Sequence, residues 1–162
     1  MPALRYDYAG IAPRVDEEER DMSKQQQKFS VSYAKDGVYK NGLRDFMEYR
    51  DLGIENATSG QFRAHVVRVK QDRKGEQDMH TTGLHQHLCD FQMFYVLKGW
   101  VKFIYHGQDG ELTFRAGDCV LQPAGIVHNE LTCSDDLEIL EIYSPAVHET
   151  RVVAQMPVKE TA

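Results

Sequence analysis

The chain has 162 residues and a formal net charge of −6 at pH 7. Its basic residues are scattered among acids, so it has neither the basic stripe of a nucleic-acid-binding protein nor the polybasic surface that holds anionic lipid. This excludes nucleic acid and membrane as expected partners. Cys89, Cys119 and Cys133 are odd in number and lack a C-x-x-C spacing, and no apolar run suits a signal or a membrane span. A cytoplasmic location is therefore expected.

The N-terminal third of the chain is predicted to bury little. Residues 1–58 are interpreted as a polar arm with a lead-in strand, because the first 35 residues are charged and lack apolar periodicity. Such an arm becomes ordered only where it meets another surface. The run at 43–53 fits a short helix or an alternating strand, and we favour a strand that ends at Gly53.

Residues 59–145 are predicted to form one β-domain, which is a natural size for a single domain. Short runs rich in Val, Ile, Phe and Tyr alternate with turn residues at intervals of about 8–12 residues, which indicates a sandwich or barrel rather than βαβ units. The runs lie at 62–69, 91–99, 100–107, 111–115, 118–122, 126–132 and 137–143. Residues 146–162 are a C-terminal tail, either a last strand or a loose arm.

Four polar side chains stand out as candidate metal ligands. His85 and His87 are two residues apart, so in a strand both imidazoles project from one face. Gln92 follows at the start of the next apolar run, and His128 follows a Pro-Ala-Gly turn at 123–125. On spacing alone, a metal site and a polar strand face explain this pattern equally well.

Two segments that contain these residues resemble the two motifs of the cupin family. The first motif is H-x-H, three or four residues, Glu, six residues and Gly; residues 85–99 fit it with Gln92 in place of Glu. The second is Gly, five residues, P-x-G, two residues and His, and residues 117–128 fit it. The resemblance covers about residues 60–145. It implies an all-β fold, a cupin-type conical β-barrel (a jelly-roll-like double-stranded β-helix), with one divalent metal ion per chain on His85, His87, Gln92 and His128.

The Gln at position 92 bears on the chemistry of such a site. Three neutral imidazoles and a neutral amide leave the ion its full double positive charge, which favours an anionic substrate. Fe, Mn, Zn and Ni are all compatible with these donors. A neutral amide is not a base, so a base must come from elsewhere on the inner wall, and His65 is the candidate catalytic residue.

The resemblance leaves three functions open. A dioxygenase acting on a small oxygen-bearing molecule is favoured, because several multi-histidine cupins have this activity. A redox-neutral isomerase, lyase or cyclase is the alternative, since cupins with Gln at this position include sugar-degrading and polyketide-cyclising members. A non-catalytic cupin that binds a small molecule is the third. Similar cupins are commonly dimers, so a homodimer is expected, with residues 1–35 reaching across the interface.

The remaining sequence features are given structural interpretations. If Gln92 faces the metal, alternation places Phe94 and Val96 on the same inner face, where they are expected to line a pocket. The other histidines, apart from His65, are expected to be surface or hydrogen-bonded residues: His80, His106 and His148.

Overall fold

The computed structural model describes residues 27–79 and 82–157. Residues 1–26, which make up most of the predicted arm, lie outside this range, as do His80 and the last five residues of the predicted tail. Within the described ranges, no helix has the length and apolar character needed to cross a membrane.

The described chain is nearly all β, which confirms the predicted fold class. Its only helical pieces are a 3₁₀ turn at Ala34–Asp36 and the four-residue helix α1 at Ile54–Ala57. The strands, in chain order, are β1 (Lys40–Asn41), β2 (Met47–Asp51), β3 (Arg63–Val69), β4 (Gln77–Asp78), β5 (His85–Leu88), β6 (Phe91–Lys98), β7 (Trp100–Tyr105), β8 (Leu112–Arg115), β9 (Cys119–Leu121), β10 (His128–Cys133), β11 (Glu138–Ser144) and β12 (Glu149–Val152).

The strands form two antiparallel sheets. Sheet I has the order β1-β2-β3-β11-β6-β9, and sheet II has the order β12-β5-β10-β7-β8 with β4 paired to β10. The segment at 43–53 contains β2, which pairs with β3, and the C-terminal tail contains β12, which pairs with β5. Both sheets therefore extend beyond residues 59–145, and the division into arm, barrel and tail stays a prediction.

The core lies between the sheets and follows the two-residue alternation of the strands. On β6, Phe94 and Val96 are 1% and 0% exposed, as expected for the inner face. The Phe94 ring stacks on Phe103 of β7 with 5.2 Å between centroids. Phe94 lines a small interior cavity of about 50 Å³, whereas Val96 packs into the solid part of the core.

Gly99 forms the tight connection between β6 and β7. Its φ of 71° lies in the left-handed region, and a Cβ there would come within 2.2 Å of Ser134 Oγ and 2.6 Å of Asp136 Oδ1. Only glycine fits both the conformation and the space. The Gly that ends the first motif is therefore explained by the approach of the loop at 134–136.

Candidate metal centre

The three histidines named by the motifs meet inside the barrel. His85 on β5 pairs directly with His128 on β10 in the antiparallel register, and His87 lies two residues further along β5 on the same face. Their ring centroids are 4.4 to 5.3 Å apart. One ring nitrogen from each lies within 4.8 Å of the other two, a separation that one metal ion can bridge.

Each of these imidazoles is oriented by a hydrogen bond at Nδ1. The partners are Gly83 O at 2.8 Å from His85, Ile126 O at 3.0 Å from His128 and Thr150 Oγ1 at 2.9 Å from His87. A carbonyl oxygen only accepts, so Nδ1 of His85 and of His128 carries the proton and Nε2 keeps its lone pair. The Thr150 hydroxyl can donate or accept, so its contact orients the His87 ring without fixing its tautomer. Fixing the tautomer through Nδ1 is how proteins prepare histidines as metal ligands, and the donor set fits a divalent ion.

The protonation state of the triad also suits ligation, which requires neutral imidazole. Burial, reinforced by the neighbouring His128 and His85, lowers the pKa of His87 from 6.5 to about 4. Burial likewise lowers the pKa of His128, although its bond to the Ile126 carbonyl partly opposes the shift. These two rings are therefore neutral at pH 7.

This pKa shift predicts acid sensitivity in the metal-free protein. The folded pKa of His87 lies below 6.5, so between pH 6.5 and about 4 the unfolded chain binds more protons than the folded one. The free energy of unfolding should thus be largest above pH 6.5 and should fall as the pH drops through that window. Thermal melts in a chelator should show Tm falling from pH 7 to pH 4.5, and less steeply for His87→Gln. Parallel curves for the two proteins would contradict this assignment.

Gln92 is buried near the start of β6, 4% exposed. Its Nε2 donates to Glu141 Oε1 at 3.3 Å, which fixes the orientation of the amide and leaves the oxygen at the other end. That oxygen accepts a long hydrogen bond from the Cys89 thiol, at 3.9 Å. The structure brings the three histidines together, whereas ligation by Gln92 stays a prediction.

His65 lies on the inner face of β3 and is joined to a residue that sequence analysis missed. Glu141 is its direct partner on β11, and His65 Nε2 lies 2.6 Å from Glu141 Oε2. Burial would raise the pKa of Glu141, but its hydrogen bond and charge interaction with His65 outweigh this and lower it. Glu141 is thus a carboxylate at neutral pH, held between His65 and Gln92.

The signal for Glu141 was present in the sequence. In the run at 137–143, Ile139 and Tyr143 are buried at odd positions, and Glu141 stands between them in the same phase. A charged residue in the inward phase of a strand indicates a polar interior site.

His148 lies closer to the triad than its sequence context suggests. Its ring is 5.4 Å from that of His87 and 4.7 Å from that of Tyr143, and its Nδ1 lies 3.4 Å from the Pro145 carbonyl. It is partly exposed and forms one edge of the site. His148 is thus hydrogen-bonded, as expected, whereas the buried Nε2 of His106 has no hydrogen-bond partner among the described residues. His80 lies outside the described residues.

Two cavities adjoin His65, Glu141 and Gln92, and the three histidines of the triad line neither of them. The interior cavity of about 50 Å³ is bordered by Gln92, Glu141 and Tyr49. A larger cavity of about 620 Å³ lies between the segment at 32–43 and the barrel, and Tyr49 and His65 form part of its wall. Tyr49 borders both cavities. His65 lines the larger cavity, and Glu141, its hydrogen-bonded partner, lines the smaller one. The pair is therefore reachable from the side of the larger cavity.

Comparison with known proteins agrees with this architecture. Residues 76–143 match the family model for the cupin domain, and no curated protein matches the sequence. Among solved structures, a RmlC-like cupin from Shewanella frigidimarina is 20% identical, with a TM-score of 0.55 over 75% of this chain and 95% of that one.

Two further solved structures share the fold at lower identity. The polyketide cyclase RemF from Streptomyces resistomycificus is 16% identical, with a TM-score of 0.56 over 78% of this chain and 87% of that one. A variant of Streptomyces PAC13 with uridine is 14% identical, with a TM-score of 0.54 over 81% and 95%. Residues 76–143 thus match a cupin domain in sequence, both motifs are in place, and the described chain shares the fold of these cupin structures.

Proposed function

We propose that this chain is a metal-dependent enzyme that moves a proton on a small oxygen-bearing molecule, as an isomerase, lyase or cyclase. One observation carries the proposal: the carboxylate of Glu141 is bonded to His65 on one oxygen and to Gln92 on the other. An imidazole–carboxylate pair beside a metal site is an arrangement that can perform general acid–base catalysis. A divalent ion on His85, His87 and His128, with Gln92 as fourth ligand, would supply Lewis-acid polarisation of a substrate oxygen.

The two residues of the pair have different tasks in this proposal. Glu141 is ionised at neutral pH, so it can accept a proton from the substrate. His65 holds the second carboxylate oxygen at 2.6 Å and lies on the wall of the larger cavity, so it orients Glu141 and can pass the proton onward. The Gln92 amide holds the first oxygen in place.

The size of the larger cavity supports a small-molecule substrate. Its volume of about 620 Å³ lies within the range of ligand pockets, roughly 300–1,000 Å³. Arg63 and Lys40 contribute positive charge to its wall, whereas Asp36 and Asp51 contribute negative charge. Among the structures that share this fold, RemF is a polyketide cyclase and the PAC13 structure contains uridine, which is consistent with a small-molecule substrate.

A dioxygenase is the second candidate, and the triad itself favours it. Three imidazoles are suitable donors for Fe(II). With four protein ligands, an octahedral ion would keep two positions open, enough for a substrate and dioxygen. A non-catalytic binding protein is the third candidate. Cytoplasmic location and a homodimeric assembly stay predictions from the sequence.

Turnover with and without oxygen separates these functions. We expect metal-loaded protein to convert small keto acids or enolisable ketones equally fast in air and under argon, and to incorporate deuterium next to the carbonyl in D₂O. Loss of turnover under argon together with stoichiometric oxygen uptake would reject proton transfer and establish the dioxygenase. Thermal stabilisation by a ligand that is never converted would indicate a binding protein.

A further inference from the structure

Glu130 lies beside the histidine triad on β10, two residues after His128. Because side chains alternate along a strand, this spacing places Glu130 and His128 on the same inner face. Glu130 is opposite Phe103 in the register and is mostly buried, with 15% of its side chain exposed. Its Oε2 lies 3.9 Å from His85 Nε2, the nitrogen that keeps its lone pair for a metal.

We infer that Glu130 supplies a carboxylate ligand to this metal centre, an inference that rests on the metal site of the proposed function. When two ligand atoms each lie about 2.0–2.2 Å from one ion, they are roughly 3.0 Å apart if the ligand–metal–ligand angle is 90° and about 4.2 Å apart if they lie on opposite sides of the ion. The 3.9 Å between Glu130 Oε2 and His85 Nε2 falls within that interval. The carboxylate is not part of the group of atoms within 4.8 Å of one another that the three imidazoles form, so ligation requires the Glu130 side chain to move further toward the triad. Glu130 approaches the triad from the side of His85.

The hydrogen bonding of Glu130 leaves this oxygen available. Arg44 Nη2 lies 3.1 Å from Glu130 Oε2, close enough for an ion pair, but its N–H does not point along a hydrogen bond to that oxygen. Glu130 Oε2 is therefore buried without a hydrogen-bond donor among the described residues. Arg44 offsets the charge of this oxygen but donates no hydrogen bond to it, and a cation beside His85 would satisfy it.

Arg44 accounts for the presence of a carboxylate in this interior. It is 7% exposed, and its Nε points to the Met79 carbonyl at 3.4 Å. A buried guanidinium cannot lose its proton, so it requires a negative partner. Arg44 thus keeps Glu130 in the barrel and limits where its carboxylate can move.

A carboxylate ligand changes the electrostatics expected from the sequence. Three histidines and Gln92 leave a divalent ion with its full charge, whereas Glu130 would reduce the net charge of the centre by one. The site should then bind the cation more tightly and attract anions less strongly. In this chain the carboxylate would come from β10, while the first motif contributes a neutral amide.

The competing explanation is that Glu130 serves only as the counter-ion of Arg44. The two explanations differ for Glu130→Gln, which keeps the size and an acceptor oxygen but removes the charge. A ligand role predicts a lower metal affinity. A counter-ion role predicts a lower Tm of the metal-free protein with an unchanged metal affinity.

The test is a titration of purified full-length protein with Zn²⁺ and with Co²⁺, by calorimetry and by the visible spectrum of the Co²⁺ form. We expect Glu130→Gln to raise the Kd at least tenfold and to change the Co²⁺ spectrum. Glu111→Gln is the matched control, because Glu111 is exposed and pairs only with Lys102 in the structure. Glu130→Asp keeps the charge but shortens the side chain; it should fold even if the Gln variant does not, and should also bind more weakly.

The possible outcomes are distinct. A wild-type protein that binds metal, with Kd values within twofold for the Glu130 variants, would overturn the role of Glu130 and leave the proposed function intact. A wild-type protein that binds neither metal would overturn the proposed function, and this inference with it.

Discussion

Glu141→Gln is expected to lower kcat by about 10²- to 10⁴-fold, the usual contribution of a general base. The variant keeps the shape of the side chain and can still contact His65 and Gln92, but it cannot accept a proton. In the proposed function the metal and the cavity wall bind the substrate, so KM should change much less. His65→Phe should produce a smaller loss, because it removes the partner of Glu141 and keeps a ring between Tyr49 and Tyr143.

Glu138→Gln is the matched control for this experiment. Glu138 is on the same strand as Glu141 but in the opposite phase, where it accepts a hydrogen bond from Tyr39 on the outer side of sheet I. Its kcat should remain near that of the wild type. If Glu141→Gln keeps its metal and turns over within threefold of the wild type, the proton is moved by another residue.

The second large effect is expected at the triad itself. His85 and His128 are 3% and 1% exposed and pair across adjacent strands, so truncating both removes two of the three converging imidazoles. We expect the His85→Ala, His128→Ala double variant to lose at least a thousandfold in metal affinity. Added Zn²⁺ should raise the Tm of the wild type, since ligands that bind the folded state stabilise it, and should leave the Tm of the double variant unchanged.

The His148→Ala variant is the control for the triad. His148 touches His87 at the edge of the site, yet the three nitrogens that converge do not include its own. Its metal affinity should stay close to that of the wild type. An equal loss in this control would indicate that the imidazoles act through general packing rather than ligation.

The histidine triad could be predicted from sequence because its geometry is local. The period of a strand puts His85 and His87 on one face, and the two motifs define the strands on which His85 and His128 stand. The structure adds the direct pairing of His85 with His128 and the hydrogen bonds at Nδ1. These depend on the register between strands 43 residues apart in the chain.

The positions of the two interior carboxylates, Glu130 and Glu141, are harder to predict from the sequence. Glu141 meets His65 across a separation of 76 residues, and only the register of β3 and β11 reveals the pair. The strand phase indicates that Glu141 faces inward, but it does not identify the partner that Glu141 meets there. Both carboxylates are inward because a partner of opposite character, Arg44 or His65, is buried with them.

The described end of the N-terminal arm has a specific contact that its composition does not suggest. Arg50 on the outer side of β2 is 8% exposed, and its Nη2 donates to the carbonyl and hydroxyl oxygens of Ser32. Tyr39 lies against Arg68, with 3.5 Å from the guanidinium carbon to the ring centroid. Polar segments of this kind are held by hydrogen bonds and cation–π contacts, which hydrophobic periodicity does not detect.

The metal content of the purified protein tests the central claim most directly. Elemental analysis of the wild type should give one divalent ion per chain, and the His85→Ala, His128→Ala double variant prepared in parallel should contain almost none. Circular dichroism should show that both proteins keep their β-structure. Equal metal content in the two folded proteins would contradict the assignment of the triad as the metal centre.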